Sequence, residues 1–177
     1  ISTDTSTTGS LTAAASGNYG GISIRNTSAS TPGTITITDS AAAGNRVSFM
    51  HSGSDFLVNG SHSFEVDNGG DLGIFAGSNM VLNGGPFILV PSAASNVLVG
   101  ANGTMDLVSS FALPLNNLGL VAGGAMTIDN AVTAKNFTAV ASTIGGIGSI
   151  VASNDAILIG TSAINIGSGI SVQGANV

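Results

Sequence analysis

From about Gly20 onward the chain is built of apolar residues set two positions apart and separated by small polar ones. Ile22/Ile24, Ile35/Ile37, Val47/Phe49, Phe64/Val66, Leu72/Ile74, Met80/Leu82, Phe87/Leu89, Val97/Val99 and Met105/Leu107 form the first run. Leu118/Leu120, Met126/Ile128, Ile157/Ile159, Ile164/Ile166 and Ile170/Val172 continue it. A spacing of two puts both members of a pair on one face of a strand, so the pattern predicts many very short strands. Between the pairs stand Asn59-Gly60, Asn68-Gly69, Asn83-Gly84 and Asn102-Gly103. Asn and Gly adopt the backbone conformations that sharp bends need, which makes these steps corners.

A longer period lies over the short one. LGIFAGSNMVL (Leu72 to Leu82), VLVGANGTMDL (Val97 to Leu107) and LGLVAGGAMTI (Leu118 to Ile128) keep the same step from the first apolar residue to Met. Val47 to Phe56 and Gly148 to Ile157 fit as looser copies if each carries one extra residue. The unit recurs at roughly twenty to thirty residues, the range of stacked solenoid coils. An antiparallel β-sandwich also has short alternating strands, and it stands as the alternative. It gives no reason for strands to resemble one another every two or three turns, whereas stacked coils set like residues above like. The expected fold is therefore all-β: a single-domain parallel β-solenoid, or right-handed β-helix, over 20–177. Residues 1–19 lack the pairs and are rich in Ser and Thr, and they are read as a leader, linker, cap or donated strand.

Composition supports this class. With 26 glycines, 43% hydrophobic and only 7% charged residues, the chain is neither helix-forming nor of the charged, apolar-poor kind that stays disordered. Arg25, Arg46 and Lys135 are the only fixed cations against nine carboxylates, for a net charge of −6. Three scattered cations make no patch for nucleic acid or anionic lipid, so neither partner is expected. The apolar runs are too short for membrane insertion as helices. No cysteine is present, which excludes a disulfide framework and thiolate metal sites. The chain opens at Ile1 without a basic and then apolar leader, and reads as a processed chain or a piece of a larger one.

The stretches NGGDLGIFAGSNMVLNGG (Asn68 to Gly85), LVAGGAMTIDNAVTAKNFTAVAS (Leu120 to Ser142) and NDAILIGTSAINIGSGISVQG (Asn154 to Gly174) carry a resemblance. They are similar to the shaft repeats of filamentous-haemagglutinin-type exoproteins, the β-helical adhesins exported by two-partner secretion. The resemblance covers about half of the chain and marks a style of β-helix. It implies a right-handed parallel β-helix, extracellular or on the cell surface, with an adhesive or scaffolding role. The Asn-Pro-Asn motifs of that family's secretion domain are absent.

Chemistry-bearing residues are sparse. Parallel β-helices also host polysaccharide lyases and hydrolases, which need paired carboxylates or an acid with a basic partner. The best cluster is FEVDNGGD, with Glu65, Asp67 and Asp71, and no Arg lies near it in sequence. The same three carboxylates are weak calcium candidates on turns, without the repeated array of calcium-loaded solenoids. His51 and His62 lack the spacing of a zinc site. Thr34, Thr36 and Thr38 form a row of hydroxyls of the ice-binding kind, but its outward equivalents, taken as Val81, Asp106 and Thr127, do not repeat it. The Met80/Met105/Met126 column reads as core filler rather than a metal or redox site. Asn26, Asn59, Asn102 and Asn136 begin Asn-x-Ser/Thr acceptors for N-glycans.

These observations predict no enzyme, no cofactor and no resident metal. They predict a structural protein, a fibre, shaft or biofilm-matrix subunit, with adhesion as its use. The alternative is a carbohydrate-binding or carbohydrate-cleaving β-helix. Expected partners are copies of the chain itself, end to end or laterally, and surface or host glycans or proteins. PFILVP (Pro86 to Pro91) and FALPL (Phe111 to Leu115) break the alternation, which marks Ile88, Val90, Phe111 and Leu113 as interface candidates.

Overall fold

A computed structural model gives the architecture. It describes 55–56, 71–82, 96–108, 115–165 and 172–176 in full, together with the backbone of the remaining strands given below. The first coils contain β1 (Ser2–Thr5), β2 (Ser10–Ala15), β3 (Ser23–Asn26) and β4 (Thr34–Asp39). Then come β5 (Val47–Ser52), β6 (Phe56–Val58), β7 (His62–Val66), β8 (Asp71–Ala76), β9 (Met80–Leu82) and β10 (Phe87–Pro91). Next follow β11 (Asn96–Ala101), β12 (Met105–Leu107), β13 (Phe111–Ala112), β14 (Asn117–Ala122), β15 (Ala125–Ile128) and β16 (Ala131–Ala134). The chain finishes with β17 (Asn136–Gly145), β18 (Ser149–Ala152), β19 (Ala156–Ile164) and β20 (Ser171–Gln173).

Every described strand pairing is parallel, and each strand pairs with its counterpart about one coil away. This is the stacking of a β-solenoid and not of an antiparallel sandwich. The first wall is the ladder β1-β3-β5-β8-β11-β14-β17, extended by β19. The second is β6-β9-β12-β15, which joins the same sheet because β17 runs unbroken through the corner and pairs with both β14 and β15. The third strand of each coil enters one of two four-stranded sheets, β10-β7-β4-β2 or β13-β16-β18-β20. β1 and β2, within 1–19, pair in parallel with β3 and β4.

The repeated unit is realised residue for residue. Leu72, Val97, Leu118, Phe137 and Ala156 stand in one register column, as do Ile74, Val99, Leu120, Ala139 and Leu158. Phe56, Met80, Met105, Met126, Ile144 and Ile164 form the next. All but Leu158 and Ile164, both on β19, are almost wholly buried in one continuous core. The methionines are thus packing residues, adaptable thioethers sharing a column with Phe and Ile. Between the second and third strands, Gly146 has φ 129°, and a Cβ there would collide with the backbone of Ile128. Only glycine turns that corner without strain.

Two of the expected inward pairs are displaced by one residue. Ile157 and Ile159 face outward at 48% exposure each, while Ala156, Leu158 and Gly160 continue the inward columns. Likewise Ser48 and Met50, not Val47 and Phe49, hold the register positions of Leu72 and Ile74. No extra residue is then needed in that copy, since Ser48 to Phe56 spans the same step as Leu72 to Met80. The copy expected over Gly148 to Ile157 is replaced by Phe137 to Ile144 and Ala156 to Ile164. In both displaced strands apolar residues occupy both faces, so alternation alone does not set the phase.

Candidate functional site

Polar side chains at the corners bond mostly from coil to coil, and they do so in one direction. At the leading edge of the first wall, Asn96 donates from Nδ2 to Asp71 Oδ1 at 2.6 Å and from its backbone N–H at 3.2 Å. Asn117 donates to Asn96 Oδ1 at 2.5 Å, and Asn136 donates to Asn117 Oδ1 at 2.8 Å. Partners lie 25, 21 and 19 residues apart, so successive coils shorten while the column keeps its place. A carboxylate can only accept, whereas an amide accepts and donates. Asp therefore fits at the head of such a row and Asn within it. Asp155, directly above Asn136, heads a new row by accepting from Asn176 at 2.7 Å.

The second corner follows the same rule. Asp55 Oδ1 accepts from the Asn79 backbone N–H at 3.0 Å and from its amide at 3.2 Å. Asn79 Oδ1 in turn accepts from Thr104 N–H at 2.9 Å and Oγ1 at 3.0 Å. Hydrogen bonds from the Asn79 backbone, then from the Ser78 hydroxyl, favour the ionised form and hold the Asp55 carboxyl below the usual range, against the effect of its burial. On the outer side of the second wall, Asp106 stands between Val81 and Thr127, and its Oδ1 is buried without a hydrogen-bond partner. Burial, and then the nearby charge of Asp129, pushes its carboxyl up.

The outer face of the first wall has a different chemistry. Gly73, Leu98, Gly119, Thr138 and Ile157 form one outward column, and Phe75, Gly100, Val121, Val140 and Ile159 the other. Large side chains lie down over glycines of the next coil. The Phe75 ring covers Gly100, where a Cβ would meet Cδ1 at 2.8 Å, and Leu98 covers Gly119, where a Cβ would meet its Cδ1 at 3.0 Å. Bulk at those two positions would lift the covering side chains, so glycine keeps the face level. Two shallow grooves flank Leu98. One, of about 410 Å³, runs past Phe75 and Val121, and the other, of about 360 Å³, runs beside Asp71, Asn96 and Asn117.

The predicted site residues are scattered by this arrangement. Asp71 heads an amide row, and Glu65 lies on β7 in register with Val90 and Thr38. Asp67, Leu113 and the side chains of Glu65, Ile88, Val90 and Phe111 lie outside the described residues. Phe111 holds the register position of Val132 and Ile150, both buried. Thr34, Thr36 and Thr38 on β4 align with Ser10, Thr12 and Ala14 on β2, and Thr36 and Thr38 with Ser63 and Glu65 on β7. Val81, Asp106 and Thr127 belong to another wall and are not their equivalents. His51 lies in register with Phe75, and His62 with Phe87. Among the described residues no three His, Cys, Asp or Glu side chains come together as a metal site.

Sequence reasoning missed the level apolar face. The signal was present in NVLVGA, NLGLVA and AILIGT, where alternation lapses as it does in PFILVP. The interrupting residues Leu98, Val121, Ile157 and Ile159 are exposed. No protein-family model matches the chain, and comparisons with curated proteins and with solved structures find no significant match.

Proposed function

We propose that the chain is a non-enzymatic structural protein, a β-solenoid shaft, fibre or matrix subunit outside the cell, with an adhesive use. The observation that supports it best is the directional stacking of coils through the Asp71–Asn96–Asn117–Asn136 row. Chemistry elsewhere spends such amides and carboxylates on a substrate. Here the described ones mostly tie one coil to the next, and each further coil adds length and surface. The likeness of the repeats to filamentous-haemagglutinin-type shafts points to the same role. It also supports an extracellular or cell-surface location and partners among copies of the chain and surface glycans or proteins.

Negative-stain microscopy at rising concentration, together with a glycan array, tests this reading. Filaments or rods, with or without a glycan ligand, are expected. A discrete particle at every concentration that cleaves an oligosaccharide would refute it and favour the carbohydrate-processing alternative.

A further inference from the structure

We infer that the outer face of the first wall, from β8 to β19, is a contact surface between two copies of this chain, meeting sheet against sheet. The contact deepens the structural role proposed above and draws its purpose from that reading, since lateral pairing thickens a shaft that stacking only lengthens. The geometry stands independently of it.

Exposure is the first ground. Leu98 and Val121 are each 42% exposed and Ile157 and Ile159 each 48%, in adjoining columns of one sheet. The glycines beneath Phe75 and Leu98 keep this surface flat, and flat apolar faces are what packed sheets bring together.

Charge selects the occupant. The chain carries −6, so copies repel wherever carboxylates face one another. The two outward columns from β8 to β19 contain no ionisable residue. Asp71 and Asp155 sit at the leading edge, each accepting from an Asn of the next coil, and Asp106 lies on the second wall. Two copies can therefore bring these two columns together without opposing charges, with Asp71 left at the edge beside the groove that flanks Leu98. The uncharged stretch ends at β5, where His51, then Arg25 and Asp4, follow Phe75 in register.

Size sets the strength. Five strands at about 4.8 Å spacing, with six residues each at about 3.3 Å, give a footprint of roughly 480 Å² per copy. A pair buries on the order of 1,000 Å² in total, at the lower edge of specific interfaces, so pairing is weak and concentration-dependent.

Sedimentation velocity from micromolar to millimolar protein reads it directly. The wild type is expected to pass from monomer to dimer. Leu98→Asp and Ile157→Asp should each raise the midpoint concentration at least tenfold, with circular dichroism showing the fold retained. Thr127→Asp, on the second wall, should leave the midpoint in place. A wild type that stays monomeric throughout would overturn the inference, and so would variants that pair as well as the wild type. Adsorption of a monomeric wild type to phosphatidylcholine vesicles would likewise overturn it and give the face to lipid. Microscopy separates this contact from the broader role. Filaments whose width is unaffected by Leu98→Asp sink the contact and leave the shaft standing, and dimers that never form filaments do the reverse.

Discussion

A single side chain in this solenoid is worth what its column makes it worth. Leu82 and Ile128 are fully buried in stacks of like residues, so Leu82→Ala and Ile128→Ala are each expected to cost about 2–5 kcal/mol by chemical denaturation. Thr127, one residue away and outward, should tolerate Ser within about 0.5 kcal/mol. Equal losses at the two kinds of site would contradict the register. Asp106 works in the opposite sense. Its carboxyl is raised on folding, so the native state binds its proton more tightly than the unfolded chain, and stability falls as pH rises through that interval. Asp106→Asn should therefore raise the melting temperature at neutral pH, with the gain disappearing below the carboxylate range. Asp55 shows the reverse sign, because a lowered carboxyl contributes above the ordinary range and its contribution is lost as pH falls through the folded value. Much of this was readable beforehand. Leu72/Ile74, Val97/Val99 and the methionines announce the inward columns, but Ala139 and Ala156 fill the same columns with too little hydrophobic contrast to be seen. The phase of Ile157/Ile159 was lost for the complementary reason, since apolar residues on the outer face outweigh small ones within.

At the scale of the element, the corner row is the distinguishing device. Asn117 both donates to Asn96 and accepts from Asn136, so Asn117→Ala removes two links and is expected to cost about 1–2 kcal/mol. Asn117→Asp is expected to be worse at pH 7, because it sets a carboxylate against the Asn96 oxygen with no proton to share. That added deficit should vanish on acidification, when the introduced carboxyl can donate. Thermal melts of both variants at neutral and acid pH check the point, and a deficit independent of pH would refute the donor-to-acceptor direction. The row could not be foreseen from composition, where Asn reads simply as a turn residue. Its members are 25, 21 and 19 residues apart, and only the coil-to-coil register reveals that they meet.

For the whole molecule, the unit of change is the coil. Removing 117–135 takes out β14, β15 and β16 and brings Asn136 and Phe137 to where Asn117 and Leu118 stood. Such a deletion should still fold cooperatively, with a lower melting temperature and a smaller denaturant slope in proportion to the lost surface. A deletion of half that length breaks every column at once, and it should leave a chain readily cut by protease. The direction of the Asp and Asn rows has a bearing on time as well as on form. A chain made from its amino terminus presents Asp55 and Asp71 before their donors exist, and a carboxylate waits in water more comfortably than any other acceptor. Each later Asn then arrives at an oxygen already in place, so the order in which the coils are made is also the order in which they can close.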